Sequence, residues 1–306
     1  LMFAKFSPGG NRVAFVCGHN IYVEELENGR ITQLTRDGGD RYVNGTFDWL
    51  YEEEFSCRDG FRWSNDGQKI IYWHSDTEGT GTFYLIDNLD SIYSRPIPFP
   101  YPKVGTTNSA VKIGVVSANG GPTRWFEVPG DPRNHYLVRM EVVPGADQVI
   151  MQQLNRLQNT NRVWIGNLET MELENILTET DDAFLDVHDD LVWLEGNKYF
   201  TWTSERDGWR HLYLVSRDGK KIRPAVKSHD GIKPDACNGG ILCQDFFQLF
   251  MYIVHIYPEI FIFPEFVFRL WLVVGWPGIF PARFSFIYIR VPTHKSCIAR
   301  VTNAVA

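Results

Sequence analysis

Phe6-Ser7-Pro8-Gly9-Gly10-Asn11-Arg12-Val13-Ala14-Phe15 is the clearest copy of a unit that recurs along the first two thirds of the chain. The unit consists of an aromatic or apolar residue, a polar or small residue, a tight turn and an apolar strand. Further copies lie at residues 61–72, 140–150 and 191–200. The turn favours Gly, Asn or Asp because its residues adopt positive φ. Units about 50 to 80 residues apart are typical of four-stranded propeller blades with insertions.

The sequence around these units also has the character of short strands. Residues 1–236 alternate between apolar and polar side chains in stretches bounded by Gly, Asn, Asp and Pro. Residues 172–178 are compatible with a helix or with a strand at a sheet edge. The pattern therefore predicts an all-β fold, a partial β-propeller with about four recognisable four-stranded blades. A β-sandwich has similar turns, but the recurrence of one unit in one order favours the propeller.

The composition changes after the last of these units. Residues 241–306 contain 42 apolar residues out of 66 and 10 of the 21 phenylalanines. Their formal net charge is +2, so residues 1–240 carry −9, against −7 for the whole chain. We therefore divide the chain into a propeller fragment, residues 1–236, and an atypical Phe-rich tail, residues 237–306. The tail is either an interfacial segment or a stretch that is not a native continuation of the protein.

Charge and cysteine usage exclude some classes of function. The acidic balance argues against a general nucleic-acid-binding protein, whose surface would be basic. The five cysteines are scattered without the spacing of a zinc site, so we predict no metal and no cofactor. Asp186, His188, Asp189 and Asp190 could ligate a divalent cation, but nothing in the sequence defines a coordination geometry. An exposed acidic loop is the simpler interpretation.

Two short motifs have both a structural and a functional interpretation. Asn44-Gly45-Thr46 is a formal N-glycosylation acceptor sequence, although Asn before Gly is typical of a turn. Ser204, Asp207 and His211 are residue types of a hydrolase triad, but their order and their strand context favour a structural role.

The segment Asp48-Trp49-Leu50-Tyr51-Glu52-Glu53-Glu54-Phe55 places three consecutive carboxylates between aromatic residues. Neighbouring residues of an extended strand point to opposite faces, so two adjacent carboxylates can share a ligand only if the backbone turns. The segment thus predicts a short helical insertion. A peptide α-amine has a pKa near 8 and is mostly a cation at neutral pH, so it would suit such a pair. The alternative is a solvated acidic turn.

This acidic segment resembles the glutamate motif of the dipeptidyl peptidase IV family of serine exopeptidases. Residues 42–46, 100–112, 153–162 and 204–213 resemble other stretches of that family and follow in the expected order. The resemblance covers about residues 4–222 of the chain.

The resemblance implies that Glu53 and Glu54 bind the N-terminal ammonium of a peptide substrate, for release of N-terminal dipeptides. Glu52 would be structural. The family's catalytic Ser, Asp and His belong to a C-terminal α/β-hydrolase domain, and this chain contains no G-x-S-x-G motif. We therefore expect no catalytic residue here, and a chain that is inactive alone. The family's carbonyl-binding Arg would precede Leu1. A homodimer of the intact enzyme and an extracytoplasmic location are also implied.

Two other functions fit the same sequence. A propeller can bind peptides without catalysing a reaction, as in family members that have lost the nucleophile. A propeller can also bind glycans through exposed indole rings, and the candidates for that role are Trp49, Trp63, Trp73, Trp164, Trp193, Trp202 and Trp209.

Overall fold

The computed structural model describes residues 1–225 of the 306. Nearly all of its regular structure is β-strand, arranged in four successive antiparallel sheets and one separate hairpin. The predicted Phe-rich tail lies outside the described residues.

Blade 1 is a four-stranded sheet whose strands pair in chain order. Its strands are β1 (Met2–Phe6), β2 (Arg12–Cys17), β3 (Asn20–Glu25) and β4 (Ile31–Gln33). Blade 2 and its insertions follow along the chain. They comprise β5 (Tyr42–Asn44), α1 (Trp49–Glu54), β6 (Phe61–Trp63), β7 (Lys69–Asp76), β8 (Thr82–Asp87), β9 (Arg95–Pro100), β10 (Ala110–Ser117) and β11 (Arg124–Trp125).

Blades 3 and 4 repeat the simple order of blade 1. Blade 3 consists of β12 (His135–Val142), β13 (Gln148–Asn155), β14 (Thr160–Asn167) and β15 (Leu173–Thr180). Blade 4 consists of β16 (Trp193–Leu194), β17 (Tyr199–Ser204), β18 (His211–Ser216) and β19 (Ile222–Pro224).

The four predicted units coincide with the first turn of each blade. The turns follow β1, β6, β12 and β16, and each contains a glycine with φ between 63° and 71° (Gly10, Gly67, Gly145 and Gly196). The all-β partial propeller with four blades is thus confirmed. The segment that was open between helix and strand is β15. Strand β9 was not predicted because it contains three prolines, which an edge strand tolerates where the missing N–H groups point away from the ladder.

Consecutive blades pack face to face through apolar side chains. In β7, Ile70 and Tyr72 contact the cluster shared with blade 1, whereas Ile71 and Trp73 contact the cluster shared with blade 3. Side chains of a strand alternate between the two faces of the sheet. Residues 70–73 of β7 are all apolar because both faces of blade 2 are buried against neighbouring blades. A third cluster joins blades 3 and 4 around Phe200.

Blade 2 differs from the other blades in its inner strand. Both β5 and β6 pair antiparallel with β7, β5 opposite residues 74–76 and β6 opposite residues 70–72. The inner strand is therefore split, and the chain between its two halves leaves the sheet to form α1. That helix has six residues, and no helix within residues 1–225 is long and apolar enough to cross a membrane.

Candidate functional site: the acidic helix of blade 2

Helix α1 begins at a side-chain cap. Asp48 precedes the helix, and its Oδ1 accepts a hydrogen bond from the Tyr51 backbone N–H at 3.1 Å. Its Oδ2 accepts a second hydrogen bond from the Ser109 hydroxyl at 2.5 Å. Burial raises the pKa of the Asp48 carboxyl, and both hydrogen bonds oppose that rise. The cap therefore also attaches the start of the helix to the segment before β10.

The middle of the helix is held by one buried side chain. Tyr51 is 2% exposed, and its hydroxyl accepts a hydrogen bond from the Leu137 backbone N–H of β12 at 3.0 Å. Its ring stacks on Phe47, with 5.5 Å between ring centroids. Burial raises the pKa of Tyr51 well above its ordinary value, so the hydroxyl stays protonated. The helix is thus fixed against blade 3 as well as blade 2.

The end of the helix is held by a guanidinium. Arg139 of β12 donates from Nη1 to the carbonyl oxygen of Phe55, the C-terminal cap residue, at 2.9 Å. The same side chain forms an ion pair with Asp189 in the connection between blades 3 and 4. A basic group that satisfies the last carbonyls of a helix is a common way to end it. The Cys57 thiol lies beside this guanidinium, and burial raises its pKa to about 11, so it is a poor nucleophile.

The predicted helical insertion is therefore present, and it carries all three glutamates. Glu53 and Glu54 are exposed in its last turn, which contains no basic residue. Neither carboxylate forms an ion pair with a side chain among residues 1–225. Glu52 is half-buried, and burial raises its pKa, with Arg58 opposing and Glu53 adding to the rise. Because consecutive helical residues lie about 100° apart around the axis, the two exposed carboxylates can meet at one ligand only through their side-chain rotamers. Their role as a pair stays a prediction.

The other sequence candidates lie in structural positions. Asn44 is the last residue of β5 and is fully buried, and its side chain contacts His74 Nδ1 at 2.8 Å and donates to Asp37 at 2.9 Å. Gly45 follows with φ of 72°, so the chain turns directly after Asn44. The Ser204 hydroxyl donates to Glu179 at 2.5 Å, and His211 is exposed. Within residues 1–225, no group of three or more His, Cys, Asp or Glu side chains is placed to hold a metal ion.

The tryptophans are mostly internal. Of the seven candidates for sugar stacking, Trp63, Trp73 and Trp202 are buried, and Trp209 is the exposed one, at 55%. Trp49 packs against Tyr101 with 4.2 Å between ring centroids and the two rings tilted by 38°. These rings fill blades and insertions, as the packing interpretation expects.

Three residues that hold the site were not singled out in the sequence. Asp48 could have been recognised as an N-cap, since an Asp before a short helical stretch is a common start signal. Tyr51 and Arg139 had no local signal, because their partners lie more than 80 residues away.

Comparison with known proteins identifies the family to which this chain is similar. The family model described as the dipeptidyl peptidase IV (DPP IV) N-terminal region matches residues 1–231. Dipeptidyl peptidase 4 of Trichophyton tonsurans and that of Trichophyton rubrum are each 29% identical over 235 residues, which cover 72% of this chain and 30% of the relative. The crystal structure of Porphyromonas gingivalis dipeptidyl peptidase 4 superposes with a TM-score of 0.69 at 28% identity, covering 74% of this chain and 32% of that one. The chain thus spans about a third of the length of the relatives it matches.

Proposed function

Since the chain belongs to the dipeptidyl peptidase IV N-terminal region family, we propose that its propeller blades bind the free N-terminus of a peptide substrate for a DPP-IV-like serine exopeptidase. Glu53 and Glu54 are the residues that bind the substrate ammonium. The reaction itself needs an α/β-hydrolase domain, which supplies Ser, Asp and His and which the matched region does not include.

The observation that carries this proposal is the helix α1. It holds two exposed carboxylates in a turn without a basic residue, and it is attached by two contacts to β12 and by one to the segment before β10. An acidic helix end is electrostatically favourable for a cation, because the carbonyl groups at that end already carry partial negative charge. Because these contacts hold the helix in place, the two carboxylates can bind a substrate ammonium at a defined position as well as attract its positive charge.

The chemistry follows from that rigidity. An α-ammonium donates three hydrogen bonds, and bonds to a carboxylate are shorter and stronger than neutral ones. When the ammonium is fixed, the distance to each peptide bond is fixed as well, so the second bond can be presented to the nucleophile and a dipeptide is released. Orientation of this kind can supply several kcal/mol of barrier reduction.

Peptide binding by the full chain tests the amine assignment directly. The probe is a fluorescent peptide beginning Ala-Pro, compared with its N-acetylated form by anisotropy. We expect acetylation, Glu53→Gln or Glu54→Gln each to weaken binding by about tenfold or more, as loss of a charged hydrogen bond does.

The matched control is Glu27→Gln, which removes an exposed carboxylate from a turn of blade 1. Equal affinity of the free and acetylated peptides in the unmodified chain would refute the amine site. In an enzyme that also has its hydrolase domain, the two glutamine variants should lower kcat/KM by a similar factor.

We also propose that the hairpin β8–β9 is a contact between two copies of the chain. The hairpin pairs with no other strand within residues 1–225, and several large apolar side chains on it are exposed, with Leu89 at 93%, Ile92 at 97% and Tyr93 at 85%. The prolines of β9 remove N–H groups from its outer edge, so association would use side chains or the edge of β8. An exposed apolar patch can pack against the same patch of a second copy across a twofold axis.

Sedimentation equilibrium of the full chain tests this contact. Leu89→Ser combined with Ile92→Ser should weaken dimerisation by at least tenfold, since about 2 kcal/mol or more of apolar burial is lost per interface. The control is Leu157→Ser, an exposed leucine at 74% in the turn between β13 and β14. Unchanged association of the hairpin variant would refute the contact.

A further inference from the structure

A cavity of about 80 Å³ lies between blades 3 and 4, and both polar and apolar side chains line it. It has room for several water molecules or for the end of a long side chain. Its walls come from β14, β15 and β17, from the connection between the two blades, and from the turn after β17. The acidic members of the lining are Glu179, Asp181, Asp186, Asp190 and Glu205, and the basic members are His188 and Arg210.

Most of these carboxylates already have partners. Glu179 accepts hydrogen bonds from Trp202 and Ser204 and pairs with Arg206 at 2.6 Å. Arg210 pairs with Asp186 at 3.2 Å and with Glu205 at 3.4 Å.

Asp190 is different. Its carboxylate has no ion pair and no hydrogen bond from another residue within the described chain. Burial raises its pKa to about 6, and the charge of the nearby Arg210 guanidinium opposes that rise without forming an ion pair with Asp190. The cavity therefore contains one carboxylate, that of Asp190, which forms no ion pair within residues 1–225.

Two further acceptors in the lining are unused. The Asn161 side-chain oxygen and the Thr203 hydroxyl have no hydrogen-bond partner among the described residues, although their residues are only 3% and 4% exposed. Buried polar atoms are nearly always paired, so two orphans on the walls of one cavity indicate a missing donor. Asn161 belongs to blade 3 and Thr203 to blade 4, so residues of both blades line the cavity.

The missing group must be rich in donors and positively charged. The acidic side chains of the described residues do not converge in a way that holds a metal ion, so acceptors spread around the walls suit an extended organic cation better. A guanidinium offers five N–H donors in a planar fork, and an ammonium offers three.

The cavity is also coupled to the acidic helix. Arg139 donates to the Phe55 carbonyl at the end of α1, and to Asp189, the residue before Asp190, with 3.1 Å between Nη2 and Oδ2. Arg139 therefore connects the end of helix α1, which carries Glu53 and Glu54, to the residue that precedes Asp190 of the cavity lining.

We propose that this cavity binds the basic side chain, arginine or lysine, of a peptide whose N-terminus is bound at Glu53 and Glu54. Asp190 pairs with the cation, and Asn161 and Thr203 accept its remaining hydrogen bonds. The peptide ligand in this inference rests on the proposed function, whereas the cation site itself does not.

The cation site is tested with propylguanidinium, which imitates an arginine side chain and has no α-amine. Calorimetric titration of the full chain should give saturable binding that weakens about tenfold in Asp190→Asn. Thr203→Val should weaken it by a smaller factor. The control is Asp182→Asn, which removes an exposed carboxylate from the same connection outside the cavity. Equal binding by the unmodified chain and Asp190→Asn, or no binding to either, would overturn the cation site.

Peptides distinguish this inference from the amine proposal. The probes begin Ala-Pro and carry arginine, or its neutral isostere citrulline, at position three, four or five. At one position or more, we expect arginine to bind about tenfold more tightly than citrulline. Asp190→Asn should abolish that preference, and Glu53→Gln should retain it.

If arginine and citrulline bind equally at every position while acetylation still weakens binding, the cavity inference fails and the amine proposal stands. If the arginine preference persists while acetylation has no effect, the amine proposal fails and the cation site stands.

Discussion

Gly60 donates its backbone N–H to the carbonyl oxygen of Gly45 at 3.1 Å, and this contact closes the neck of the excursion that carries α1. The two glycines lie at the points where the split inner strand of blade 2 leaves and rejoins β7, and each forms a 3.0 Å hydrogen bond with the backbone of Trp73. The segment that contains the glutamate helix therefore leaves and rejoins the sheet at two adjacent backbone positions, Gly45 and Gly60.

Gly60→Ala should destabilise the chain by about 1–3 kcal/mol, the usual cost of forcing an extra methyl into a packed site. A Cβ at position 60 would lie 2.6 Å from the Gly45 carbonyl carbon, and backbone atoms cannot move aside easily. Urea unfolding of the full chain measures the loss. Gly39→Ala is the control, because a Cβ there meets nothing within 4 Å, and equal stability of the two variants would contradict the narrow neck.

Tyr51→Phe should lower the free energy of unfolding by about 1–3 kcal/mol, because it leaves the Leu137 N–H buried without an acceptor. The shape of the ring is retained, so the effect isolates the hydroxyl. Tyr93→Phe, at a hairpin residue that is 85% exposed, should change stability by less than about 0.5 kcal/mol. An unchanged free energy of unfolding in Tyr51→Phe would show that this hydrogen bond does not hold the helix.

Arg139→Lys should loosen the end of α1 without unfolding the blades. A lysine cannot form the planar fork that contacts the Phe55 carbonyl and Asp189 together. Hydrogen exchange followed by mass spectrometry should show faster exchange for peptides that cover residues 49–60, with β13 and β14 unchanged. Arg36→Lys, at an exposed position of blade 1, serves as the control. Unchanged exchange rates in Arg139→Lys would show that the Arg139 guanidinium does not hold the end of α1.

Asp190 should make the chain less stable as the pH rises. Its folded-state pKa of about 6 lies above the ordinary aspartate pKa of 3.8, so the native state binds more protons between those two values and stability falls through that window. Asp190→Asn should therefore gain stability relative to the unmodified chain by on the order of 1–2 kcal/mol more at pH 7.5 than at pH 4. Thermal or urea unfolding at the two pH values measures this difference. A stability difference between the two proteins that is the same at both pH values would show that the Asp190 carboxyl titrates normally.

The repeat unit determined the fold because it is local. A turn that needs positive φ, followed by an apolar strand, imposes its geometry on about ten neighbouring residues, and four copies in one order are sufficient to specify four blades. The same local reasoning predicted a helical bend at Glu52, Glu53 and Glu54, since adjacent side chains of a strand cannot share a face. The strand β5 escaped prediction because its three residues become a strand only when paired with the end of β7.

The sequence by itself determined the blade pattern, the acidic helix and its resemblance to a family. Only the tertiary structure decided how that helix is held and which half-buried carboxylate, Asp190, has no ion pair within residues 1–225. Tyr51 meets Leu137, and Arg139 meets both Phe55 and Asp189, through contacts between residues 50 to 86 positions apart. Contacts at that separation form because blades pack face to face, and their side chains carry no local signal of the partners they will meet.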